Sequence, residues 1–368
     1  PFLALRVLST AAVMTMVTSI AAPAFADAYG IALYGTHYLD QGNITVEVRG
    51  GQYYVNDVLD DDGPVIIKNH EDESDTTSVS NTITIHAEDG EANVTLKDVD
   101  IVTNGEANKS GITVKADKTK TATATVNVTL DNVTVDARED ASSEGATGGA
   151  GMTIQGNGVV NIELDGKNEL LAGDGHAGLE KNRTESVGSL NINDSNEDGG
   201  SLTAIGGDGG AGIGGGKGDM GSGLYILNGT VNAYGKGGGA GIGGGDGAGA
   251  HMVGLNAGVP GVNDAYEPTA TAVGSEGAAG IGGGKGGRLT DAVLSSGTLT
   301  GTMETLEYLQ AHGAQTIVFT TSQRTSSFQI SDLLALADEG DVFYLTHTEA
   351  NEPTLLVVTS DHTDLLEG

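Results

Sequence analysis

The sequence predicts an all-β protein built as a parallel β-solenoid, because two series of short motifs alternate without exception along the chain. In the first series, two β-type runs flank a turn position, which falls at Asp98, Asn132, Gly166, Asp194, Asn228, Asn256 and Ser296. In the second series, Ala-Gly or Ser-Gly precedes an apolar residue, with the glycine at Gly111, Gly151, Gly178, Gly212, Gly241 and Gly280. Each repeat therefore contains one strand–turn–strand piece and one tight glycine corner, which is typical of a solenoid coil.

Residues 1–26 predict a secretory signal peptide. Arg6 precedes an apolar run, and Ala24-Phe25-Ala26 forms the small-x-small pattern that a signal peptidase accepts. The run contains several Ser and Thr residues and ends at Pro23, which disfavours a membrane anchor. We expect the mature chain to be secreted or extracellular, with no membrane insertion, and the sequence leaves attachment to the cell surface open.

Residues 27–80 are predicted to form an N-terminal cap and a first coil. This segment holds half of the 10 tyrosines and the acidic run Asp60, Asp61 and Asp62. A cap is expected because the end of a parallel solenoid otherwise exposes an unpaired strand edge.

Residues 81–300 are predicted to hold the repeats. Alternation such as Val126-Asn127-Val128-Thr129-Leu130 places apolar side chains inward and polar side chains outward. An antiparallel β-sandwich is the alternative, and it requires hairpin turns between the paired runs. Only Asn228-Gly229 has a good hairpin composition, so the pattern favours the solenoid.

Residues 301–368 are predicted to form a small α+β segment, either a C-terminal cap or a truncated second domain. Glycine becomes scarce there, and helices are expected over 302–312 and 331–337, with Ser331 as a helix N-cap. Strands are expected over 316–320, 342–345 and 354–358, where β-branched, aromatic and leucine side chains cluster.

Composition excludes several classes of function. The chain has 50 acidic and 17 basic residues and a net charge of −33, which disfavours binding to nucleic acid or to anionic lipid. With no cysteine, there is no disulfide, no thiol nucleophile and no Cys-ligated zinc. The Gly-rich strings at 211–218 and 279–286 approach a phosphate-binding loop, but they lack its first Gly and its Ser/Thr, so nucleotide binding is disfavoured.

The repeated strand–turn–strand units, the Ser/Ala-Gly-Ile corners and the signal peptide resemble bacterial secreted carbohydrate-binding parallel β-helix proteins of the pectate-lyase-like superfamily. The GAGIGGG strings are similar to repeats of large bacterial surface proteins. The resemblance covers about residues 80–300, and it implies a right-handed β-helix, an extracellular location, polysaccharide binding and the use of calcium. Before most corner glycines, however, this chain has Ala where such coils often carry Asp.

Calcium is the one metal that the acidic composition favours, since six to eight oxygen ligands would relieve the repulsion among the carboxylates. The candidate ligands are the N-terminal acidic run and three acids at strand–turn positions, namely Asp60, Asp61, Asp62, Asp98, Asp100 and Asp131. The eight histidines form no HxH or HExxH pattern, so zinc is not expected.

We expect a non-catalytic protein that binds polysaccharide or a cell-surface glycan. Regular acid pairs and a nearby arginine, which a polysaccharide lyase or glycoside hydrolase needs, do not recur from coil to coil. A structural or adhesive surface rod without a glycan ligand is the main alternative. An ice-binding solenoid is disfavoured because the row Thr121-Ala122-Thr123-Ala124-Thr125 is not repeated in later coils.

Overall fold

The computed structural model describes residues 35–61, 63–72, 74–119, 122–138, 148–196, 198–255, 269–286, 292–294, 297–302, 306–307, 310, 316–320, 325–335, 342–347 and 354–358. Over these residues the protein is nearly all β, which confirms the predicted all-β class. The predicted signal peptide and Asp62 lie outside the described residues.

Three sheets contain most of the strand residues in the part of the chain that the structure describes. The first sheet has nine parallel strands: β1 (Gly35–Tyr38), β5 (Val65–Lys68), β7 (Glu91–Lys97), β10 (Thr125–Asp131), β13 (Val159–Asp165), β16 (Ser189–Asn193), β19 (Gly221–Ile226), β22 (Ala250–Leu255) and β25 (Ala292–Leu294). The second has six parallel strands: β8 (Asp100–Val102), β11 (Thr134–Asp136), β14 (Lys167–Leu171), β17 (Ser201–Asp208), β20 (Thr230–Lys236) and β23 (Thr269–Val273).

The third sheet has parallel strands β2 (Ile44–Arg49), β6 (Ile83–Ala87), β9 (Ile112–Ala116), β12 (Met152–Gln155), β15 (Leu179–Glu180), β18 (Ile213–Gly214), β21 (Ile242–Gly243) and β24 (Ile281–Gly282). At its N-terminal edge, β3 (Gln52–Val55) and β4 (Val58–Asp60) extend β2 as an antiparallel meander. A short 3-10 helix, η1 (Leu39–Gln41), follows β1.

From β7 onward the chain visits the first, second and third sheets in a fixed order, and then returns to the first. We call one such pass a coil; the first complete one is residues 91–116. Each strand pairs in parallel with the strand one coil earlier and the strand one coil later, as β10 does with β7 and β13. The sandwich alternative, which requires antiparallel pairing between the repeated strands, is therefore wrong.

Apolar side chains at equivalent positions of successive coils form ladders that build the core. In the third sheet the parallel register aligns Ile44, Ile83, Ile112, Met152, Leu179, Ile213, Ile242 and Ile281. All of these except Ile281 are buried, and each such side chain contributes about 1.5–3 kcal/mol through burial.

The corner glycines stack in one column, as the sequence predicts. The backbone N–H of Ile213 donates to the carbonyl of Gly241, and that of Ile242 donates to the carbonyl of Gly280. A Cβ atom on Gly212 would stand 2.4 Å from the backbone nitrogen of Tyr234. Glycine is thus required because the backbone of the next coil occupies the space that a side chain would need.

The C-terminal residues contain antiparallel strands β26 (Gly297–Thr302), β27 (Thr316–Thr320), β28 (Thr325–Gln329), β29 (Val342–His347) and β30 (Thr354–Val358), in the sheets β26–β29–β30 and β27–β28. The three predicted strands are confirmed, and β28 was not predicted. Helix α1 spans Ile330–Leu334 and its N-cap is Gln329, so the prediction of Ser331 as N-cap is wrong. Leu306, Glu307 and Gln310 are helical, while the other residues of the predicted 302–312 helix that follow Thr302 lie outside the described part of the chain.

Candidate functional site

A surface groove of about 580 Å³ lies at the corner where the chain passes from the first sheet into the second. Its walls come from the segment after β5, the β7–β8 corner and the β10–β11 corner. The charged residues that line it are Lys68, His70, Asp72, Asp75, Lys97, Asp98 and Asp100. The groove therefore carries charges of both signs within an acidic protein.

Two turn residues shape the corner. Asp98 and Asn132 have φ angles of 52° and 56°, a left-handed conformation that Asp and Asn tolerate better than most residues. The side-chain Nδ2 of Asn132 donates to Asp98 Oδ1 at 3.3 Å and to Asp131 Oδ1 at 3.1 Å. The same turn is thus repeated one coil later, and the two turns are linked by side chains.

Asn69 fixes one wall of the groove to the second sheet. Its Nδ2 donates to the carbonyl of Asp100 at 3.0 Å, and its Oδ1 accepts the Asp100 N–H at 3.0 Å. Nδ2 also donates to the carbonyl of Thr77 at 3.1 Å. Asn69 is buried, so these bonds are shielded from water and hold the segment after β5 against β8.

The charged groups of the groove are perturbed by their neighbours. Lys97 Nζ lies 2.5 Å from Asp131 Oδ2, and this contact raises the pKa of the lysine. The pKa of Asp100 is raised by burial and by the charge of Asp136. The pKa of His70 is raised chiefly because its ring donates to the Thr77 carbonyl at 2.7 Å. All three shifts favour the protonated form of the group.

The groove opens onto a row of polar residues on the outer face of the second sheet. The parallel register aligns Asp100, Thr134, Glu169, Thr203, Asn232 and Thr271 across six successive strands. We call this set the polar row. Its members are half-buried apart from the exposed Thr271, and successive members lie about 4.8 Å apart, the spacing of neighbouring strands.

Beside the polar row, a second row of the same face is mainly apolar. Leu171, Ile205, Tyr234 and Val273 align in register, and Val273 is 44% exposed. Beyond this row lies a depression of about 250 Å³ whose charged lining residues are Arg138, Asp174, Asp208 and Lys236. The outer face of the second sheet thus joins a groove, a polar row, an apolar row and a second charged depression.

The sequence-predicted metal ligands fall into two sets. Asp60 lies on β4, where its Oδ2 is 2.8 Å from His37 Nε2, and Asp61 lies in the turn that follows. Asp98 and Asp100 line the groove, and Asp131 pairs with Lys97 beside it. Within the described part of the chain, no group of three or more His, Asp or Glu side chains is arranged to hold a metal ion.

Sequence reasoning missed the residues that complete this face. Thr134, Glu169 and Thr203 follow Asp100 at intervals of 34 or 35 residues, and this interval is the signal that would have found them. Lys68, at the end of β5, and Asn69 and His70, which follow it, had no such signal, because they precede the regular repeat that begins at β7.

No family model, no curated protein and no solved structure matches this chain. Over the residues that the structure describes, there is no helix with the length and apolar character needed to cross a membrane.

Proposed function

We propose that this chain is a right-handed parallel β-helix that binds polysaccharide without catalysis, as a secreted protein of the bacterial cell surface. The fixed order in which the chain visits its three parallel sheets supports the β-helix. The observation that carries the function is the polar row, which presents one hydrogen-bonding side chain per coil over six coils. A repeating surface of this kind suits a polymer with its own repeat better than it suits a small metabolite.

The chemistry of the face fits a glycan. Carboxylate, hydroxyl and amide groups of the polar row can bond to sugar hydroxyls, and Tyr234 in the adjacent row offers an aromatic surface. The half-buried positions restrict side-chain freedom before binding, which lowers the entropic cost of holding a polymer. Because the protein is strongly acidic, a uronate polymer would need calcium to bridge the carboxylates, whereas a neutral glycan would not.

Affinity gels test this proposal directly. The protein is run through gels that contain cellulose, xylan or polygalacturonate, each with and without calcium. Retardation by a neutral glycan in both conditions, or by polygalacturonate only with calcium, supports binding. Migration that no glycan changes would contradict it and favour a structural or adhesive rod.

Matched variants locate the binding face. Thr134→Val and Thr203→Val remove one hydroxyl each from the polar row and keep the β-branched shape. Thr113→Val is the control, since Thr113 is also half-buried on a strand but belongs to the third sheet. We expect retardation to weaken in the double variant Thr134→Val/Thr203→Val and to be unchanged in the control. Equal retardation of all the proteins would exclude the polar row as the binding face.

One observation favours catalysis as a second candidate. The pKa of Asp100 is raised, whereas Arg138 lowers the pKa of Asp136 through a side-chain contact of 2.6 Å. Neighbouring carboxyls with opposite shifts are typical of an acid and base pair. Release of reducing or unsaturated sugar from any glycan in the panel, and its loss in Asp100→Asn, would establish this alternative and overturn the non-catalytic proposal.

A further inference from the structure

His70 lies in the wall of the groove that the segment after β5 provides. This wall consists of residues 70–72 and 74–77, which we call the wall segment, and the members that line the groove are His70, Asp72, Asp75 and Thr76. The side chain of His70 is only 9% exposed, so its ring is packed within the wall. The ring is therefore well placed to fix the shape of the groove.

Both ring nitrogens of His70 face oxygen atoms that can only accept a hydrogen bond. Nε2 lies 2.7 Å from the Thr77 carbonyl, and Nδ1 lies 3.3 Å from Asp40 Oδ2 and 3.7 Å from Asp75 Oδ2. The hydroxyl of Thr77 donates to Asp75 Oδ1 at 2.8 Å, so its proton is already used. Only an imidazolium ring, which carries a proton on each nitrogen, can donate on both sides at once.

His176 shows the contrast. Its Nδ1 lies 3.0 Å from Glu180 Oε2, and its Nε2 lies 3.1 Å from Asn108 Oδ1. An asparagine side chain can present either its oxygen or its NH2 group, so a neutral His176 ring can also be satisfied on both sides. The Thr77 carbonyl and the Asp40 carboxylate offer His70 no such choice.

The charges around His70 favour the proton. The charged groups that face the ring are Asp40 from η1 and Asp72 and Asp75 from the wall segment. Residues two positions further on donate hydrogen bonds to Asp72 and Asp75 through their hydroxyl and backbone N–H groups, and these bonds lower the pKa of both carboxyls. The carboxylates thus remain ionised and stabilise the imidazolium form.

We propose that His70 is a proton-operated latch, a side chain whose protonation holds the wall of the groove in place. When both nitrogens are protonated, the ring ties the wall segment to η1 through Asp40. When one proton is lost, the ring keeps the shorter bond to the Thr77 carbonyl, and the lone pair of Nδ1 then faces the carboxylates of Asp40 and Asp75. This repulsion releases the wall segment from η1, while Asn69 continues to bond to the Thr77 carbonyl.

The pH range of the latch follows from the direction of the shift. The pKa of His70 in the folded protein is raised above 6.5, chiefly by the bond to the Thr77 carbonyl, so the folded state holds the proton more tightly than the unfolded state. The stabilisation is therefore fully present below about pH 6.5 and is lost as the pH rises through the folded pKa. The wall is held at acidic pH and loosened at alkaline pH.

The latch is tested on the purified full-length chain with no glycan present. Ring-nitrogen NMR shifts report the protonation of His70, and hydrogen–deuterium exchange, corrected for the intrinsic rate at each pH, reports the opening of the wall segment. We expect the His70 midpoint to lie above 6.5. We expect the protection of the Ser74, Asp75 and Thr77 amides to fall about tenfold between about pH 5.5 and about pH 8.5, as loss of one charged hydrogen bond does.

Variants separate the latch from a merely structural role. The amide of Asp40→Asn can donate to a neutral Nδ1, so we expect the His70 midpoint to fall and the protection to persist at alkaline pH. His70→Gln removes the titrating group and should make the protection independent of pH over this range. His86→Gln is the matched control, since it removes a histidine–carboxylate pair of 2.9 Å, with Asp117, from β6 of the third sheet. The control should retain the pH dependence of the unsubstituted protein.

A His70 midpoint at or below 6.5, or equal protection of the wall segment at both pH values, would overturn the proposal. So would a pH dependence that persists in His70→Gln, or one that His86→Gln abolishes.

The effect of the latch on glycan binding rests on the proposed function. Retardation by a glycan gel should be stronger at about pH 5.5 than at about pH 8.5, and equal at both values in His70→Gln. If no glycan retards the protein while the protection still follows His70, the proposed function fails and the latch stands. If a glycan retards the protein equally at both pH values, the latch does not control binding, and this part of the proposal is wrong.

Discussion

Lys181 is an unusual residue for a protein core. It is fully buried directly after β15, and its ammonium group donates to the carbonyl of Ser222 at 2.7 Å and to that of Ser186 at 3.2 Å. Loss of hydration lowers the pKa of Lys181 to about 8. The two carbonyl groups hold the side chain in place but do not compensate for the water that a charged group loses.

The stability of the protein should therefore rise with pH in the alkaline range. Between a folded pKa of about 8 and the ordinary value of 10.5, the unfolded state binds the proton and the folded state does not, so the free energy of unfolding increases with pH. Below about pH 8 both states are protonated, and the cost of burying the charge is fully present. Integrated over this window, the gain is roughly 3 kcal/mol.

Denaturant unfolding at several pH values checks this expectation, with Lys181→Met as the reference that cannot titrate. The difference in unfolding free energy between the two proteins isolates Lys181 from the other groups that ionise at high pH. A difference that stays constant from pH 7.5 to 10.5 would show that Lys181 titrates normally in the folded protein.

At the scale of the secondary-structure elements, a ladder of asparagines joins four strands of the first sheet. Asn127 Nδ2 donates to Asn93 Oδ1 at 2.8 Å, Asn161 Nδ2 to Asn127 Oδ1 at 2.7 Å, and Asn191 Nδ2 to Asn161 Oδ1 at 2.7 Å. Asn127, Asn161 and Asn191 are buried in a region that little water reaches. Each side-chain amide therefore supplies a hydrogen bond that its neighbour in the ladder cannot obtain from water. The ladder fixes the register of β7, β10, β13 and β16 by side chains as well as by backbone.

Breaking the middle of this ladder should cost more than removing its end. Asn161→Ala removes two side-chain hydrogen bonds at once, the one from Asn161 to Asn127 and the one from Asn191 to Asn161, which we expect to destabilise the protein by about 2–4 kcal/mol. Asn93→Ala removes one acceptor from Asn127, whose Nδ2 also donates to Glu91 at 2.7 Å, so a smaller loss is expected. Chemical denaturation measures both, and equal losses for the two variants would show that the ladder does not act as a connected unit.

Across the whole molecule, the sequence predicts the repeating part of the fold well, because the glycine corners recur and the turn positions Asp98, Asn132 and Gly166 take the left-handed conformation. At the turn positions Asp194 and Asn228, the left-handed residue is instead a later glycine, Gly199 or Gly229. Gly212 and Asn132 are examples, and their backbone roles are visible from residue type and spacing alone. The antiparallel β3 and β4 were not predicted, since they occur once and leave no periodic signal.

The site could be predicted only in part. Asp98 and Asp100 emerge from the turn pattern, and both line the groove. Which outward side chains become neighbours depends on the exact alignment of coils, and the repeat varies from 28 to 40 residues between turn positions. The asparagine ladder also has a signal in the sequence, and it becomes meaningful once β13 is known to lie beside β16.

If each repeat forms one coil, equivalent residues of successive coils lie in one straight row. Because the chain has no cysteine, spin labels can be attached at two introduced cysteines without background. Asp100→Cys is combined in turn with Thr203→Cys, Asn232→Cys and Thr271→Cys, which lie three, four and five strands away in the second sheet. We expect the label-to-label distance measured by pulsed electron paramagnetic resonance to increase by about 4.8 Å from each pair to the next. Distances that do not rise in this order would contradict the stacked-coil architecture.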